Sequence, residues 1–197
     1  MLSSSLILER IKSTLGILDK EETIHLHEPY FKDSNAYEYI KSRGVSDKIL
    51  RKFNIGFCPE EKLLIKYLNS KGFEFEQIKK TDLLIKNKNN EYFGRFNNRI
   101  TFPIYNFFND LVGFGGRTIN QSKIKYINSH ENLLFKKSQI LFGLHQNSDH
   151  IRQSREIILV EGYMDVIKLY CSDIKNAVSS LGTSLSEIQL KKMWNYS

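Results

Sequence analysis

The feature that most constrains this chain is a strand–helix–strand–helix pattern in its last forty or so residues, opening with REIILVEGYMDVIKLY at 155–170. Residues 157–160 are four consecutive apolar residues, as in a buried strand, and they run straight into Glu161 and Gly162. A helix follows, carrying Asp165 four residues after the glutamate. Residues 176–179 form the second strand. The loop SLGTSLSE ends in a capping box, Ser184 with Glu187, and Leu185, Ile188, Leu190 and Met193 line the last helix. Strands that alternate with helices call for a parallel sheet. In such a sheet, ligands bind beyond the carboxyl ends of the strands, and Glu161 sits at that end. Gly162 allows a sharp exit. Asp165 lies where the helix dipole favours an anion by roughly 0.3–1 kcal/mol. A plain helix-start residue and a solvated strand end are the bland alternatives for the two acids. The functional one is a magnesium site, which needs only one or two protein carboxylates alongside waters and phosphate oxygens.

Upstream the periodicity differs. Residues 1 to about 20 have the amphipathic spacing of one helix, with Leu6, Ile7, Ile11 and Leu15 on one side. The polar stretch DKEETIHLHEPYFKDSN reads as a connection. NAYEYIKSRGVSDKILRKFNIGF reads as two short helices about a turn at Gly44, the second capped by Ser46. EKLLIKYLNSKGFEFEQIKKTDLLI reads as two helical pieces broken at Gly72. Ile100, Phe102 and Ile104 then alternate as in a half-buried strand, NFFND turns, and residues 111–119 return as its hairpin partner. That second strand carries Gly113, Gly115 and Gly116. Glycine weakens a strand interior, so close approach of another backbone or a ligand, or a β-bulge, is needed to explain them.

Composition sets bounds. The 197 residues suffice for one sizeable domain or two small ones. Lys and Arg total 29 against 22 Asp and Glu, a net charge of +7 that suits a polyanionic partner as well as ordinary solubility. Two distant cysteines, Cys58 and Cys171, make neither a disulfide framework nor a zinc cluster, which argues for a reducing, intracellular setting. No apolar run reaches membrane-spanning length.

ILVEGYMDV resembles the first motif of a Toprim domain in bacterial DnaG-type DNA primases. AYEYIKSRGVSDKILRKFNIGFCP, GRFNNRITFPIYNFFNDLVGFGGRTI, KYINSHENLLFKKSQILFGL and AVSSLGTSL are similar to the same family in the same order, from about Ala36 to Met193. The resemblance implies an α/β chain: an α+β N-terminal subdomain of the catalytic core over 1–150, then the start of a parallel-sheet Toprim domain over 151–197. It implies a template-directed RNA polymerase that makes short primers on single-stranded DNA. Its partners would be nucleoside triphosphates, the RNA–DNA hybrid and the replicative helicase, in the cytoplasm at the nucleoid and without a membrane. By position, Glu161 matches the metal-site glutamate and general acid/base, and Asp165 an acid close to it, for Mg2+ or Mn2+. Arg95, Arg99, Arg117, Lys125, Asn128 and Lys137 match positions lining the basic nucleic-acid- and nucleotide-facing groove. Arginine and lysine neutralise phosphate, and asparagine can hydrogen-bond sugar or phosphate.

Some positions depart from the family. Asn97 stands where another arginine is common, and His130 and Lys136 where proline and histidine are. The family's zinc-ribbon ligands, its Asp-x-Asp strand and its helicase-binding domain have no counterpart here. The expectation is therefore the front portion of the core, inactive by itself. A noncatalytic single-stranded nucleic-acid-binding remnant and another Toprim enzyme are the alternatives.

Overall fold

The computed structural model describes Phe31 and residues 34–196, apart from Lys71, Lys80, Thr81, Leu133 and Leu134. The helix expected over residues 1–20, and most of the connection after it, lie outside the described residues. The chain divides into two compact units. One comprises residues up to Tyr39, Gly56–Thr101 and Gly116–Ile127; the other comprises Ile40–Ile55, Phe102–Gly115 and 128–196.

Helices α1 (Asn35–Ser42) and α2 (Asp47–Lys52) flank Gly44, whose φ of +83° is open to glycine at little cost. Ser46 caps α2, its hydroxyl accepting from Ile49 N at 3.4 Å. Strand β1 (Gly56–Cys58) follows, then α3 (Glu61–Ser70) and the one-turn α4 (Phe75–Ile78), separated at Gly72 with φ +87°. These match the expected breaks. The strands β2 (Leu84–Lys86) and β3 (Tyr92–Gly94) were not anticipated; they pair antiparallel. Leu68, Phe73, Ile78 and Leu84 form the core beneath them.

The hairpin strands are β4 (Arg99–Tyr105) and β5 (Leu111–Thr118), in a sheet ordered β1-β4-β5-β6, where β6 is Tyr126–Asn128. The alternation read for β4 is corrected. Ile100 to Ile104 are buried without a break, Thr101 included, because both faces of the strand are covered. The glycines of β5 also have a different reason from those expected. A Cβ on Gly113 would meet Ser129, on Gly115 the Tyr163 ring, and on Gly116 Phe96. At all three positions neighbouring side chains occupy the space a Cβ would need.

In the second unit a 3-10 turn (Lys137–Gln139) precedes α5 (Leu144–Ser154), β7 (Ile158–Val160), α6 (Tyr163–Cys171), β8 (Ala177–Ser179) and α7 (Glu187–Trp194). The strand–helix alternation gives the expected parallel pair, Ile158 opposite Ala177 and Val160 opposite Ser179. On its other edge β8 is bridged antiparallel by Phe142, through two bonds of 2.9 and 3.0 Å. Leu141, Leu144, Ile151 and Val178 make the core here, with Met193 packed on it. The expectation of a buried β7 is corrected. Ile158 and Leu159 are 39% and 41% exposed.

The capping box of the last helix is also corrected, from Ser184 and Glu187 to Ser186 and Gln189. Ser186 Oγ accepts from Gln189 N at 3.1 Å, and Ser186 N donates to Gln189 Oε1 at 2.9 Å. Gln189 is fully buried, and its Nε2 donates to Lys137 O and Ile140 O. Leu185, which precedes the helix, and Ile188 within it, both expected to line it, face solvent at 38% and 43% exposure. Ser186→Ala should therefore cost about 1 kcal/mol in urea unfolding, while Ser184→Ala should stay within about 0.5 kcal/mol. Equal losses at the two serines would contradict the observed cap.

Candidate functional site

The basic residues collect in the first unit around the β4, β5 and β6 strands. Arg117, near the end of β5, lies with its guanidinium carbon 5.1 Å from the Tyr39 ring centroid and 4.9 Å from that of Tyr126. The guanidinium is weakly hydrated and flat, so two aromatic faces hold it in one orientation. Its Nη1 also donates to the Tyr126 hydroxyl, while its buried Nε has no hydrogen-bond partner among the described residues. Arg99 donates to Ile124 O at 3.4 Å and to Lys125 O at 3.2 Å, fixing the chain that leads into β6. Burial lowers the pKa of Arg99 from the ordinary guanidinium value.

An open cleft of about 530 Å³ lies beside these groups, lined by Tyr39, Arg117, Thr118, Ser122, Lys123 and Lys125 among others. Among the described residues, the Lys123 and Lys125 ammonium groups have no hydrogen bond or ion pair. Of the residues matched to the family's groove, Arg117 and Lys125 line this cleft, and Arg99 is bonded to the Lys125 carbonyl beside it. Arg95 is placed differently. Its Nε stands 3.5 Å from Asp82 Oδ2, with both side chains largely buried, and it does not line the cleft. Asn97, where the family has an arginine, donates to Glu61. Tyr39 and Lys123 were missed in the sequence because a tyrosine on a short helix and a lysine in a turn carry no motif.

The carboxylates lie in the second unit. Glu161 follows the last residue of β7 and is exposed, and its carboxylate has no partner among the described residues. Its backbone carbonyl accepts from Ser179 Oγ at 2.8 Å. Gly162 is the N-cap of α6, with φ −143°, an extended backbone open to any residue. The exit from β7 would therefore accept other residues as well. Asp165 accepts from Gly162 N through Oδ2 at 3.1 Å, so it closes the first turn of α6 as the helix-start alternative anticipated. Tyr163, the first residue of α6, is buried and hydrogen-bonded to Asn128. Burial pushes the ionisation of its phenol far above the ordinary value. Lys137 is held through its backbone, N donating to Glu131 Oε1 at 2.9 Å and O accepting from Gln189. Its ammonium has no partner among the described residues.

No group of three or more His, Cys, Asp or Glu forms a cluster among the described residues. An exposed, unpaired glutamate at a strand end, with one free oxygen on Asp165, nevertheless fits Mg2+ or Mn2+. Such ions take one or two carboxylates and fill the remaining positions from water and phosphate.

Comparison with known proteins bears on both units. Residues 25–148 match the family model described as DNA primase catalytic core, N-terminal domain, and residues 155–196 match a Toprim domain model. A DNA primase of Rickettsia felis is 40% identical over 156 residues, which are 79% of this chain and 26% of that protein. The Aquifex aeolicus primase structure, comprising its zinc-binding and RNA polymerase domains, superposes with a TM-score of 0.84 at 31% identity. It covers 100% of this chain and 47% of that one. A structure of a DnaG primase catalytic domain bound to single-stranded DNA gives 0.78 at 28% identity, covering 94% and 61%. The chain thus spans about a quarter of the length of the curated relatives it matches. With the first match running through most of the chain, and the second through the strand–helix pattern that carries Glu161, this protein belongs to the family of the DNA primase catalytic core N-terminal domain, continued by a Toprim segment.

Proposed function

We propose that this chain is part of a DNA primase that synthesises short RNA primers on single-stranded DNA in the bacterial cytoplasm, at the nucleoid. Residues 1–150 would be its core subdomain and 151–197 the start of Toprim. The observation that carries this reading is the cleft beside Arg117, where a guanidinium held between Tyr39 and Tyr126 stands with the unpaired Lys123 and Lys125. Cations interleaved with aromatic rings suit a single strand, since the cations neutralise phosphates and any base can stack on a ring. The single-stranded DNA bound by a related catalytic domain supports the same reading. Nucleoside triphosphates, the RNA–DNA hybrid and a replicative helicase are the further partners proposed. No helix among the described residues is long and apolar enough to cross a membrane.

In the proposed reaction the primer 3′ oxygen bonds to the α-phosphorus of an incoming nucleotide, the bond to pyrophosphate breaks, and the hydroxyl proton leaves. Glu161, with the free oxygen of Asp165, would hold the Mg2+ or Mn2+. When bound, such a cation neutralises charge on the attacking and departing oxygens. The exposed Glu161 carboxylate would also accept the hydroxyl proton. Lys137, anchored through its backbone with its ammonium free, is suited to a phosphate. Residues 1–197 alone are proposed not to synthesise primers. Of their two acids at this site, Asp165 already spends one oxygen on its helix, and two carboxylates do not fix a pair of metals.

Salt dependence tests the binding. Affinity for oligo-dT, followed by fluorescence anisotropy, should fall with salt at a log–log slope of about −0.7 per phosphate neutralised. Lys125→Ala and Arg117→Ala should each flatten that slope by about 0.7. Affinity independent of salt, or slopes unchanged in both variants, would dismiss the cleft as the binding surface.

A further inference from the structure

Asn128 matches a groove position in the family, yet its amide is used inside the protein. Its Oδ1 accepts from the Tyr163 hydroxyl, and its Nδ2 donates to Leu181 O at 3.4 Å. Each partner leads back to Glu161. Tyr163 is two residues along the chain from it. Leu181 N donates to Ser179 Oγ at 3.2 Å, and Ser179 Oγ donates to Glu161 O at 2.8 Å. The bonds therefore form a circuit around the carboxyl ends of β7 and β8: Glu161, Ser179, Leu181, Asn128, Tyr163 and back.

Both sides of the circuit are rigid. The Tyr163 ring lies stacked on Phe102, centroids 5.1 Å apart, and edge-on to Phe142 at 4.8 Å, with Gly115 beneath it. With the ring held there, the hydroxyl can serve as a fixed post, and a buried hydroxyl needs a partner. The other side is a tight turn. Ser180 Oγ donates to Thr183 O at 2.6 Å, and Thr183 Oγ1 donates to Ser180 O at 2.8 Å. Leu181 and Gly182 sit within it at φ +63° and +74°. A leucine in the left-handed region is strained and persists only where its surroundings hold it. Asn128 grips the carbonyl of that leucine.

We infer that Asn128 is a positioning residue, which sets the place of Glu161 at the end of β7 by clamping Tyr163 to the 180–183 turn. It acts through these two elements and not by touching nucleic acid. The inference rests on the proposed role of Glu161 and adds to it. It also accounts for a tyrosine directly after the Glu161–Gly162 step, which a metal site alone does not require.

The test uses the 197-residue chain with Tyr163→Phe, which removes the hydroxyl and keeps the ring, Asn128→Ala, and the double variant. Mn2+ binding in the presence of ATP is followed by water-proton relaxation, beside wild type and Glu161→Gln. Oligo-dT salt slopes and amide hydrogen exchange at Leu181 are measured on the same samples. Each single variant should weaken Mn2+ binding by about 10-fold, the scale seen when a group supporting a metal ligand is lost. The double variant should be no worse than either single, because both break one link. Exchange at Leu181 should quicken about 10-fold, in line with the lost clamp. The salt slope set by Arg117 and Lys125 should not move. Ile151→Val, which loosens the core away from the Tyr163 ring, serves as the stability control and should leave the double-variant relation intact. A flattened salt slope with unchanged Mn2+ binding would overturn the inference and make Asn128 a nucleic-acid contact. Unchanged exchange at Leu181 in both single variants would overturn it whatever the Mn2+ result. Wild type that takes up no Mn2+, or takes it up as Glu161→Gln does, instead defeats the metal reading of Glu161. The exchange measurement still decides the clamp in that case.

Discussion

Glu161→Gln is expected to lower primer synthesis by at least about 10³-fold in any form of the protein that makes primers, with its folding unchanged. Glutamine keeps the size of the side chain and removes both the negative charge and the proton acceptor. The substitution is structurally mild because the carboxylate is exposed and has no partner among the described residues. What Glu161 contributes to the fold is its backbone carbonyl, bonded to Ser179 Oγ at 2.8 Å, and glutamine retains that bond. A primer assay over a range of Mg2+, paired with thermal unfolding, separates the two effects. Full activity with normal metal dependence would show that the reacting centre lies elsewhere. Loss of activity together with loss of folding would show that the residue is structural.

Gly115→Ala should produce the largest loss of stability, about 3 kcal/mol. A Cβ at this position falls on the Tyr163 ring, and the ring has no room to yield. Phe102 lies stacked against it at 5.1 Å and Phe142 abuts it at 4.8 Å. Overpacking a rigid core costs more than overpacking a loose one, because neighbouring rotamers cannot absorb the added volume. At about 2–4 °C per kcal/mol for a chain of this size, the melting temperature should fall by about 6–12 °C. A double-mutant cycle with Tyr163→Ala locates the cause. Once the ring is removed, the added penalty of Gly115→Ala should nearly vanish. A penalty that persists in the Tyr163→Ala background would mean that the strand backbone, not the ring, demands glycine.

The same ring explains why part of the site could not be read along the chain. Three glycines in one strand are visible as an anomaly, but their reason is not. Gly115 is accounted for by a residue 48 positions later, and nothing near it in sequence names Tyr163. Asn128 is similar. Its residue type and its place in KYINS fit a nucleotide contact, whereas the folded chain spends its amide on Tyr163 and Leu181. Arg95 matches the other cations by position, yet the partly buried Asp82 pairs with it. The motif spacing alone points to a capping box of Ser184 with Glu187. The choice of Ser186 over Ser184 follows from Gln189, which can satisfy the cap and the carbonyls of Lys137 and Ile140 at once.

What the sequence determined by itself is the part set by local physics. The breaks at Gly44 and Gly72, the Ser46 cap, the hairpin about NFFND and the strand–helix alternation that places Glu161 at a strand end all follow from short-range backbone preferences and periodicity. Tertiary structure decided the rest. The three-residue strands β1, β2, β3 and β6 are too short to carry a period, and β1 exists by pairing with residues more than forty positions away, Gly56 opposite Thr101. Which arginine is free, which glycine is obligatory and which polar side chain is spent on the fold depend on groups that meet only when distant segments pack. Burial drives most polar groups to find a partner, and the identity of that partner is a property of the folded chain.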